Sequence, residues 1–243
     1  MGWMSLIGDL HGRLPKVGPR QHDIRPDAKL VIIAGDVAPD FRAEHRVRDQ
    51  LAWLVGPFAV WCRSLRCPVV AVPGNHDRWF WEGARPAGVP WTLLEDGEVR
   101  SVAGLTFWGC GRTRDRGCIS YISERGMFRL LESMPNDCDV MLTHNPPLGI
   151  LDSVSHANHV GSLALTMAMY ERRPKLAVFG HIHESHGCRQ YRKTYCVNAT
   201  LGAGCSSVSG GLPGPAPYGP WGLSDNSWNR EPSFPALAGS RNG

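Results

Sequence analysis

The sequence has no long hydrophobic run and no basic arm. Its longest apolar segments are too short to cross a bilayer, and Gly, Pro or a charged residue interrupts each of them. The residues before Asp9 do not form the apolar core of a secretory signal. The net charge is +4 at pH 7, which is compatible with an anionic substrate and does not establish one. We therefore expect a cytoplasmic protein without a membrane partner.

The sequence contains eight cysteines but no Cys-x-x-Cys pair. An even number of cysteines can indicate disulfides, yet this inference applies mainly to short secreted chains. The alternative, which we favour, is that the thiols are reduced and serve as small apolar side chains.

Five apolar runs have the length of β-strands and are rich in Val, Ile or Leu. They cover residues 3–7, 30–34, 69–72, 140–142 and 176–179. Most are apolar throughout, which is typical of strands that are buried on both faces of a sheet. A hairpin is predicted at residues 98–108 with its turn at Ala103-Gly104, and a further strand is predicted at residues 191–198.

Apolar residues recur at three- and four-residue steps between residues 47 and 65, which predicts a helix. Gly56-Pro57 should kink this helix or split it in two, because proline removes a backbone donor and clashes with the preceding turn. Two further helices are predicted at residues 122–134 and 162–172. The mixture of βα units with hairpins favours an α/β sandwich over a simple doubly wound sheet.

The composition changes near residue 204. We predict one domain at residues 1–204 and a flexible tail at residues 205–243, because the second segment is dominated by Gly, Pro and Ser and has little to bury. The alternative is that Trp221, Trp228 and Phe234 dock on the surface of the domain.

Each of the five predicted strands is followed by polar residues with metal-binding side chains. They are Asp9, His11, Asp36, Asn75, His76, His144, His181 and His183. Residues that are distant in sequence can converge here, because ligands gather beyond the carboxyl ends of strands in α/β sheets. Oxygen and nitrogen donors suit a divalent Mn, Fe, Co, Ni or Zn ion. The small number of carboxylates argues against a calcium cage, and the lack of thiolates argues against a structural zinc site.

The same residues resemble a known family. The motifs Asp9-x-His11, Gly35-Asp36, Gly74-Asn75-His76-Asp77, His144 and Gly180-His181-x-His183 are similar to the five signature blocks of the calcineurin-like metallophosphoesterase superfamily. Residues 143–149 and 178–184 narrow the resemblance to small, cap-less phosphodiesterases, the metallophosphoesterase-domain-containing proteins of animal brain and their microbial relatives. The resemblance covers residues 5–200. It implies a β-sandwich of two mixed sheets flanked by helices, an αββα arrangement in a single domain.

By this resemblance, seven residues bind two divalent transition-metal ions, with Mn, Fe, Zn and Ni as the candidates. Asp9, His11 and His183 would hold the first ion, Asn75, His144 and His181 would hold the second, and Asp36 would bridge both. Elementary electrostatics agrees with a bridging carboxylate, because two cations about 3.5 to 4 Å apart repel each other strongly without an anion between them.

The reaction expected from the resemblance is hydrolysis of a phosphate ester. A hydroxide shared by the two ions attacks phosphorus in line with the leaving oxygen. His76 is expected to protonate the leaving alkoxide as a general acid, and Asp77 is expected to orient the His76 imidazole.

Differences from other branches of the superfamily favour a small phosphoester substrate. The phosphoprotein phosphatases carry an Asp-Arg pair after the bridging aspartate and a glutamate after the catalytic histidine, whereas this chain has Asp40-Phe41-Arg42 and Asp77. The DNA-repair nucleases add a capping domain, for which the sequence leaves no room. The resemblance therefore implies a phosphodiesterase, with a cyclic nucleotide as the candidate substrate.

Four further residues are hypothesised to contact the substrate. One of Arg112, Arg114 and Arg116 would reach the phosphate or the base, because arginine commonly binds phosphate. The alternative is that these arginines belong to a solvated loop. His159, in a segment that also contains His156, would line the pocket or belong to a surface loop at the entry to a helix.

Two other functions stay open at this point. The first is a catalytically weak, metal-binding regulatory protein, which is disfavoured because every ligand position of the motifs is filled. The second is a nuclease on single-stranded nucleic acid, with the basic balance and the tryptophans of the tail as its contact surface.

Overall fold

The computed structural model describes residues 3–18, 23–155, 158–201 and 208–211. In these residues two large sheets pack face to face, and helices cover both outer faces. This is the αββα sandwich that the resemblance implies.

The first sheet has five strands. They are β1 (Trp3–Ile7), β2 (Ala28–Ala34), β3 (Val69–Val72), β4 (Thr92–Leu93) and β13 (Val208–Gly211). Their order in the sheet is β13-β1-β2-β3-β4, and strands β1 to β4 run parallel to one another. The carboxyl ends of β1, β2 and β3 therefore lie at the same edge of the sheet.

The second sheet has six strands. They are β5 (Val99–Val102), β6 (Leu105–Cys110), β7 (Val140–Thr143), β10 (Leu176–Phe179), β11 (Gly187–Tyr191) and β12 (Thr194–Asn198). Their order is β11-β12-β10-β7-β6-β5. Strands β6, β7, β10 and β12 are parallel to their neighbours in this group. Two short strands, β8 (Ser153–Ser155) and β9 (Asn158–His159), form a separate hairpin.

The strands are buried on both faces, which explains their unbroken apolar character. Leu6, Ile32 and Val70 of the first sheet pack against Val140 and Val178 of the second sheet. The neighbouring residues along the same strands point to the opposite face, because side chains alternate along a strand. That outer face of the first sheet packs on one group of helices, and the outer face of the second sheet packs on another.

Five helices form these outer layers. They are α1 (Arg46–Trp53), α2 (Ala59–Ser64), α3 (Arg78–Trp81), α4 (Glu124–Leu131) and α5 (Leu163–Arg172). A single π-helical turn, Leu54–Phe58, joins α1 to α2 and contains Pro57. The predicted kink is therefore a wider helical turn, which accommodates a proline that has no backbone N–H to donate.

Two predicted boundaries differ from the structure at the C-terminal part of the chain. The strand predicted at residues 191–198 begins three residues later, as β12, because Tyr191 ends β11 and Arg192 adopts a left-handed conformation (φ 52°) at the turn between the two strands. Strand β13, which we assigned to the tail, pairs antiparallel with β1. An edge strand such as β1 offers unpaired backbone groups to any extended segment, so composition alone did not reveal this pairing. The remaining tail, with Trp221, Trp228 and Phe234, lies outside the described residues.

Within the described residues, no helix combines the length and the apolar character needed to cross a membrane. The described cysteines are free thiols, as we predicted, and Cys205 lies outside the described residues.

Candidate metal centre

Polar residues that follow five strands meet at one edge of the sandwich. The strands are β1, β2 and β3 of the first sheet and β7 and β10 of the second sheet. The loops after these strands contribute most of the walls of an open cleft of about 610 Å³. The cleft is lined by His11, Arg13, Asp36, Asp40, Asn75, His76, Asp115, His181 and His183. The structure thus brings together the residues that the sequence places in separate motifs.

One group of donor atoms consists of Asp9, His11 and His183, whose potential ligand atoms all lie within 4.8 Å of one another. Asp9 Oδ1 is 3.2 Å from His183 Nε2. The Asp9 carboxylate is fully buried, and it accepts hydrogen bonds from Thr200 Oγ1 at 2.8 Å and from the backbone N–H of His181 at 3.1 Å. These donors hold the carboxylate in the orientation that faces the cleft.

A second group of donor atoms contains Asn75 and His144. His144 Nε2 lies 2.9 Å from Asn75 Oδ1, and the ring of His181 is 5.0 Å from the His144 ring, measured between centroids. His144 Nδ1 is 2.7 Å from the carbonyl oxygen of Ala34. Because this carbonyl can only accept, Nδ1 carries a proton and donates it, and Nε2 is left to face the cleft as a ligand atom.

Asp36 lies between the two groups. Its Oδ2 atom is 3.4 Å from His144 Nε2 and 3.8 Å from His11 Nε2. Two atoms that bind one ion at about 2.1 Å are about 3.0 Å apart at a right angle and about 3.4 Å apart at the tetrahedral angle. The separations of Asp36, His144, Asn75, Asp9 and His183 fall in or near this range, so the residues present fit divalent transition-metal ions.

Carboxylates and imidazoles lie close together in the site, so they shift the pKa values of one another. Burial would raise the pKa of Asp36, but the neighbouring His144, His76 and His11 outweigh burial and hold that pKa well below its usual range. Burial would lower the pKa of His144, but Asp36 raises it to about 9. Burial and the charge of His144 lower the pKa of His181 to about 4. Asp36 and His144 thus stabilise each other's charged forms, and a cation bound at His144 Nε2 would compete with a proton at that atom.

The backbone at four of the candidate ligands lies in the left-handed region. The φ angles are 53° at Asp9, 44° at His11, 51° at Asp36 and 70° at His181. A non-glycine residue in this region costs roughly 1–3 kcal/mol and persists only where the surrounding structure holds it. The described chain therefore concentrates backbone strain at the residues that could bind metal.

Three glycines allow the ligands to approach the backbone closely. A Cβ atom on Gly35 would overlap His144 Nδ1, one on Gly74 would overlap Asp36 Oδ1, and one on Gly180 would overlap Asp9 Oδ2. Gly35 also has a positive φ of 90°. The Gly residues of the sequence motifs are thus needed for the space that they leave to the ligands beside them.

We expect Gly74→Ala to reduce metal content and to lower turnover by at least about a hundredfold, because the added methyl group must displace the Asp36 carboxylate and a shift of about 1 Å at a reacting site can cost this much. Elemental analysis and steady-state kinetics measure the two effects. Gly56→Ala is the matched control, since nothing lies within 4 Å of a Cβ at Gly56. Parent-like metal content and turnover in Gly74→Ala would contradict the close-approach argument.

The structure corrects the role predicted for Asp77. This carboxylate is fully buried and accepts hydrogen bonds from the backbone N–H groups of Val37, Ala38 and Gly74 at 3.1, 2.9 and 2.8 Å. Trp79 Nε1 also donates to it at 3.3 Å. Asp77 therefore ties the loop after β2 to the loop after β3 and does not orient the His76 imidazole. Burial and the neighbouring Asp36 charge raise the pKa of Asp77, and the backbone donors oppose this effect.

The partner of His76 is Asp40. His76 Nδ1 is 2.7 Å from Asp40 Oδ1, and Asp40 Oδ2 is 3.2 Å from His11 Nδ1. The second contact is an ion-pair distance and not an aligned hydrogen bond, since His11 Nδ1 is buried without a hydrogen-bond partner. The backbone N–H of His76 donates to Asp36 Oδ1 at 2.8 Å. One carboxylate thus faces both a candidate metal ligand and the candidate proton donor.

Sequence reasoning missed three residues that line the cleft: Arg13, Asp40 and Asp115. Asp40 lies four residues after Asp36 on the same loop, and Arg13 lies two residues after His11. Closeness in sequence to a motif residue was the signal that could have found Arg13 and Asp40. Asp115 had no such signal, because it lies between Arg114 and Arg116 in a segment that no motif covers.

One of three loop arginines is predicted to reach the substrate, and two of the three have other partners. Arg112 Nε donates to Asp96 Oδ2 at 2.6 Å, and Arg114 Nε lies 2.9 Å from Glu124 Oε1. Arg116 is exposed, and none of the three lines the cleft. The prediction is corrected for Arg112 and Arg114, since a carboxylate from outside the loop pairs with each guanidinium.

His159 is also outside the cleft lining. Its side chain is about half exposed, and Nδ1 is 2.6 Å from the fully buried Asp152 carboxylate. The structure therefore supports the surface-loop interpretation of this histidine. His156 lies outside the described residues.

Comparison with known proteins agrees with this architecture. The family described as calcineurin-like phosphoesterase matches residues 5–185 of the chain. UPF0046 protein K07C11.7 of Caenorhabditis elegans is 33% identical over 210 residues, which cover 79% of this chain and 67% of the nematode protein. Human metallophosphoesterase domain-containing protein 1 is 35% identical over 97 residues, which cover 39% of this chain and 28% of the human protein. The matches thus span two thirds of one curated relative and less than one third of the other.

Solved structures support the same fold. The crystal structure of TT1561 of Thermus thermophilus has a TM-score of 0.53 and 16% sequence identity, and the match covers 81% of this chain and 88% of that one. An identity this low supports the fold alone. The family match spans the loops that carry the candidate ligands from Asp9 to His183, and it confirms the resemblance seen in the motifs. The chain therefore belongs to the calcineurin-like phosphoesterase family.

Proposed function

We propose that this protein is a metal-dependent phosphoesterase that uses two divalent transition-metal ions to hydrolyse a small phosphodiester. The single observation that carries the proposal is the position of Asp36, which faces both groups of donor atoms in an open cleft and contacts the backbone of His76. Membership of the calcineurin-like phosphoesterase family supports phosphoester chemistry with divalent metals.

In this proposal, seven residues hold the ions. Asp9, His11 and His183 would hold the first, Asn75, His144 and His181 would hold the second, and Asp36 would contact both. Bound cations would supply the Lewis acidity that activates water and neutralises negative charge developing at phosphorus. The rest of the chemistry belongs to the side chains of the protein, which must align the ester for in-line attack and protonate the leaving group.

His76 is the proposed proton donor. It lines the cleft, and its side chain is about 42% exposed, so a substrate can reach it. Asp40 accepts a hydrogen bond from Nδ1 at 2.7 Å, which fixes the orientation of the ring. The other ring nitrogen is then available to donate a proton to the leaving alkoxide. Asp40 is a positioning residue in this scheme, because it acts through His76.

The charges of the cleft favour a diester over a monoester. Apart from His76 and the proposed ligands, the charged side chains in its lining are Arg13, Asp40 and Asp115, one cation and two anions. A phosphomonoester carries close to two negative charges near neutral pH, whereas a phosphodiester carries one. The cleft has the volume of a typical small-molecule site, which suits a cyclic nucleotide or another compact diester.

With Mn²⁺, we expect kcat/KM for bis(p-nitrophenyl) phosphate to exceed that for p-nitrophenyl phosphate by about tenfold or more, because the second negative charge of the monoester faces two carboxylates. The same assay should be run with Fe²⁺, Zn²⁺ and Ni²⁺, and with a panel of cyclic nucleotides. A preference for the monoester with every metal would overturn the phosphodiesterase assignment.

Other outcomes of this panel would favour the two alternative functions. A folded, metal-loaded sample that is inert on every ester would support a metal-binding regulatory protein. Cleavage of single-stranded RNA or DNA with a steep dependence on salt would support a nuclease, because phosphate contacts along a strand release counterions.

A further inference from the structure

The loop at residues 111–122 is held rigidly beside the cleft. The backbone N–H of Arg114 donates to Asn145 Oδ1 at 3.0 Å, and Asn145 directly follows His144. Thr113 and Ser120 close the base of the loop through their hydroxyl groups at 2.9 Å and through a backbone hydrogen bond at 3.1 Å. The position of this loop is therefore coupled to a proposed metal ligand.

The loop presents a carboxylate to the cleft. Asp115 lines the cleft, whereas its neighbours Arg114 and Arg116 do not. Asp115 Oδ1 accepts a hydrogen bond from the backbone N–H of Gly117 at 2.9 Å, and Oδ2 accepts one from Cys118 Sγ at 3.0 Å. These contacts fix the direction of the carboxylate.

We propose that Asp115 is a specificity-determining residue that repels doubly charged phosphate groups and so selects singly charged phosphodiesters. This inference rests on the proposed function, which it deepens by assigning the substrate class to a named side chain. In this role the loop acts on the substrate through the negative charge of Asp115, and not through a phosphate-binding arginine as the sequence predicts.

The physical basis is a repulsion that grows with the charge of the ligand. A fixed carboxylate repels a dianion about twice as strongly as a monoanion at the same position. Specificity that comes from such a repulsive contact does not require tighter binding of the preferred substrate. Because Asp115 is exposed to solvent, added salt screens the effect, and the selectivity should weaken as ionic strength rises.

The test compares two small inhibitors that differ in charge, methyl phosphate and dimethyl phosphate, in the Mn²⁺-loaded full chain at low salt. Asp115→Asn should lower the inhibition constant of methyl phosphate about fivefold and that of dimethyl phosphate only about twofold, because the removed repulsion scales with ligand charge. Asp115→Lys should enlarge the difference between the changes in the two inhibition constants. The asparagine keeps an oxygen that can accept from the Gly117 N–H, so thermal unfolding should match that of the parent.

Asp137→Asn is the control for the charge change. Asp137 is exposed and precedes β7, whereas the proposed ligand His144 follows that strand. Its removal should leave both inhibition constants unchanged. Parent-like inhibition by methyl phosphate in Asp115→Asn and Asp115→Lys would overturn the role of Asp115, whichever ester the parent hydrolyses. A parent that prefers the monoester would instead disprove the proposed diesterase, so the two failures are distinguishable.

Discussion

Asp36→Asn is expected to remove at least one metal ion and to lower kcat/KM for a phosphodiester by about a thousandfold or more. Asp36 Oδ2 lies 3.4 Å from His144 Nε2 and 3.8 Å from His11 Nε2, so it is the carboxylate placed to contact both ions of the proposed centre. A neutral amide of the same shape keeps the size of the side chain but loses the charge that offsets the repulsion between two cations. Elemental analysis after gel filtration and steady-state kinetics measure the two effects.

The substitution is conservative for the fold. The asparagine retains an oxygen that can accept from the backbone N–H of His76, which donates to Asp36 Oδ1 at 2.8 Å in the parent. Asp137→Asn removes the same charge from an exposed position and should retain full metal content and activity. Two full equivalents of metal in Asp36→Asn would contradict the bridging role.

His76→Ala is expected to lower kcat for esters with alkyl leaving groups by about 10²- to 10⁴-fold, the usual range for a general acid. The kcat for esters of p-nitrophenol should fall much less, because that leaving group departs without a proton. Metal content should stay at the parent level, since His76 is not among the proposed ligands. The effect is measured with a series of substrates, as the slope of the logarithm of kcat against the pKa of the leaving group.

Asp40→Asn separates positioning from proton transfer. It removes the charge beside His76 Nδ1, so we expect kcat to fall by about tenfold or more. This loss should be smaller than that in His76→Ala and should depend on the leaving group in the same way. His159→Ala is the control, because His159 and Asp152 form a comparable pair at 2.6 Å outside the cleft lining. Equal losses across all leaving groups in His76→Ala would show that His76 acts in binding or structure and not as the acid.

The sequence predicted the buried strands and the order of the site motifs. Runs such as Val31–Ile33 of β2 are apolar because both faces of the sheet are covered, and this requirement leaves a local pattern. The hairpin of β5 and β6 was also predictable from a local pattern, since the adjacent residues Ala103 and Gly104 form its turn with positive φ angles. Features that depend on neighbouring residues were therefore predictable from the sequence alone.

Pairings between distant segments were not predictable. Strand β13 adds to the edge of β1 through backbone hydrogen bonds, which need no particular side chain. The sequence predicts that one of Arg112, Arg114 and Arg116 contacts the substrate, but the structure places Asp96 and Glu124 beside the first two. In each case a partner from elsewhere in the chain decided the outcome.

The sequence by itself determined which residues could bind metal, since donor atoms of Asp, Asn and His after buried strands depend on local chemistry and on the strand direction. Only the tertiary structure decided which carboxylate serves each role. Asp77 follows His76 directly, yet its carboxylate accepts hydrogen bonds from buried backbone N–H groups, and Asp40 reaches the imidazole from another loop. The direction of a side chain is set by the donors around it, and loops that are far apart in sequence supply those donors.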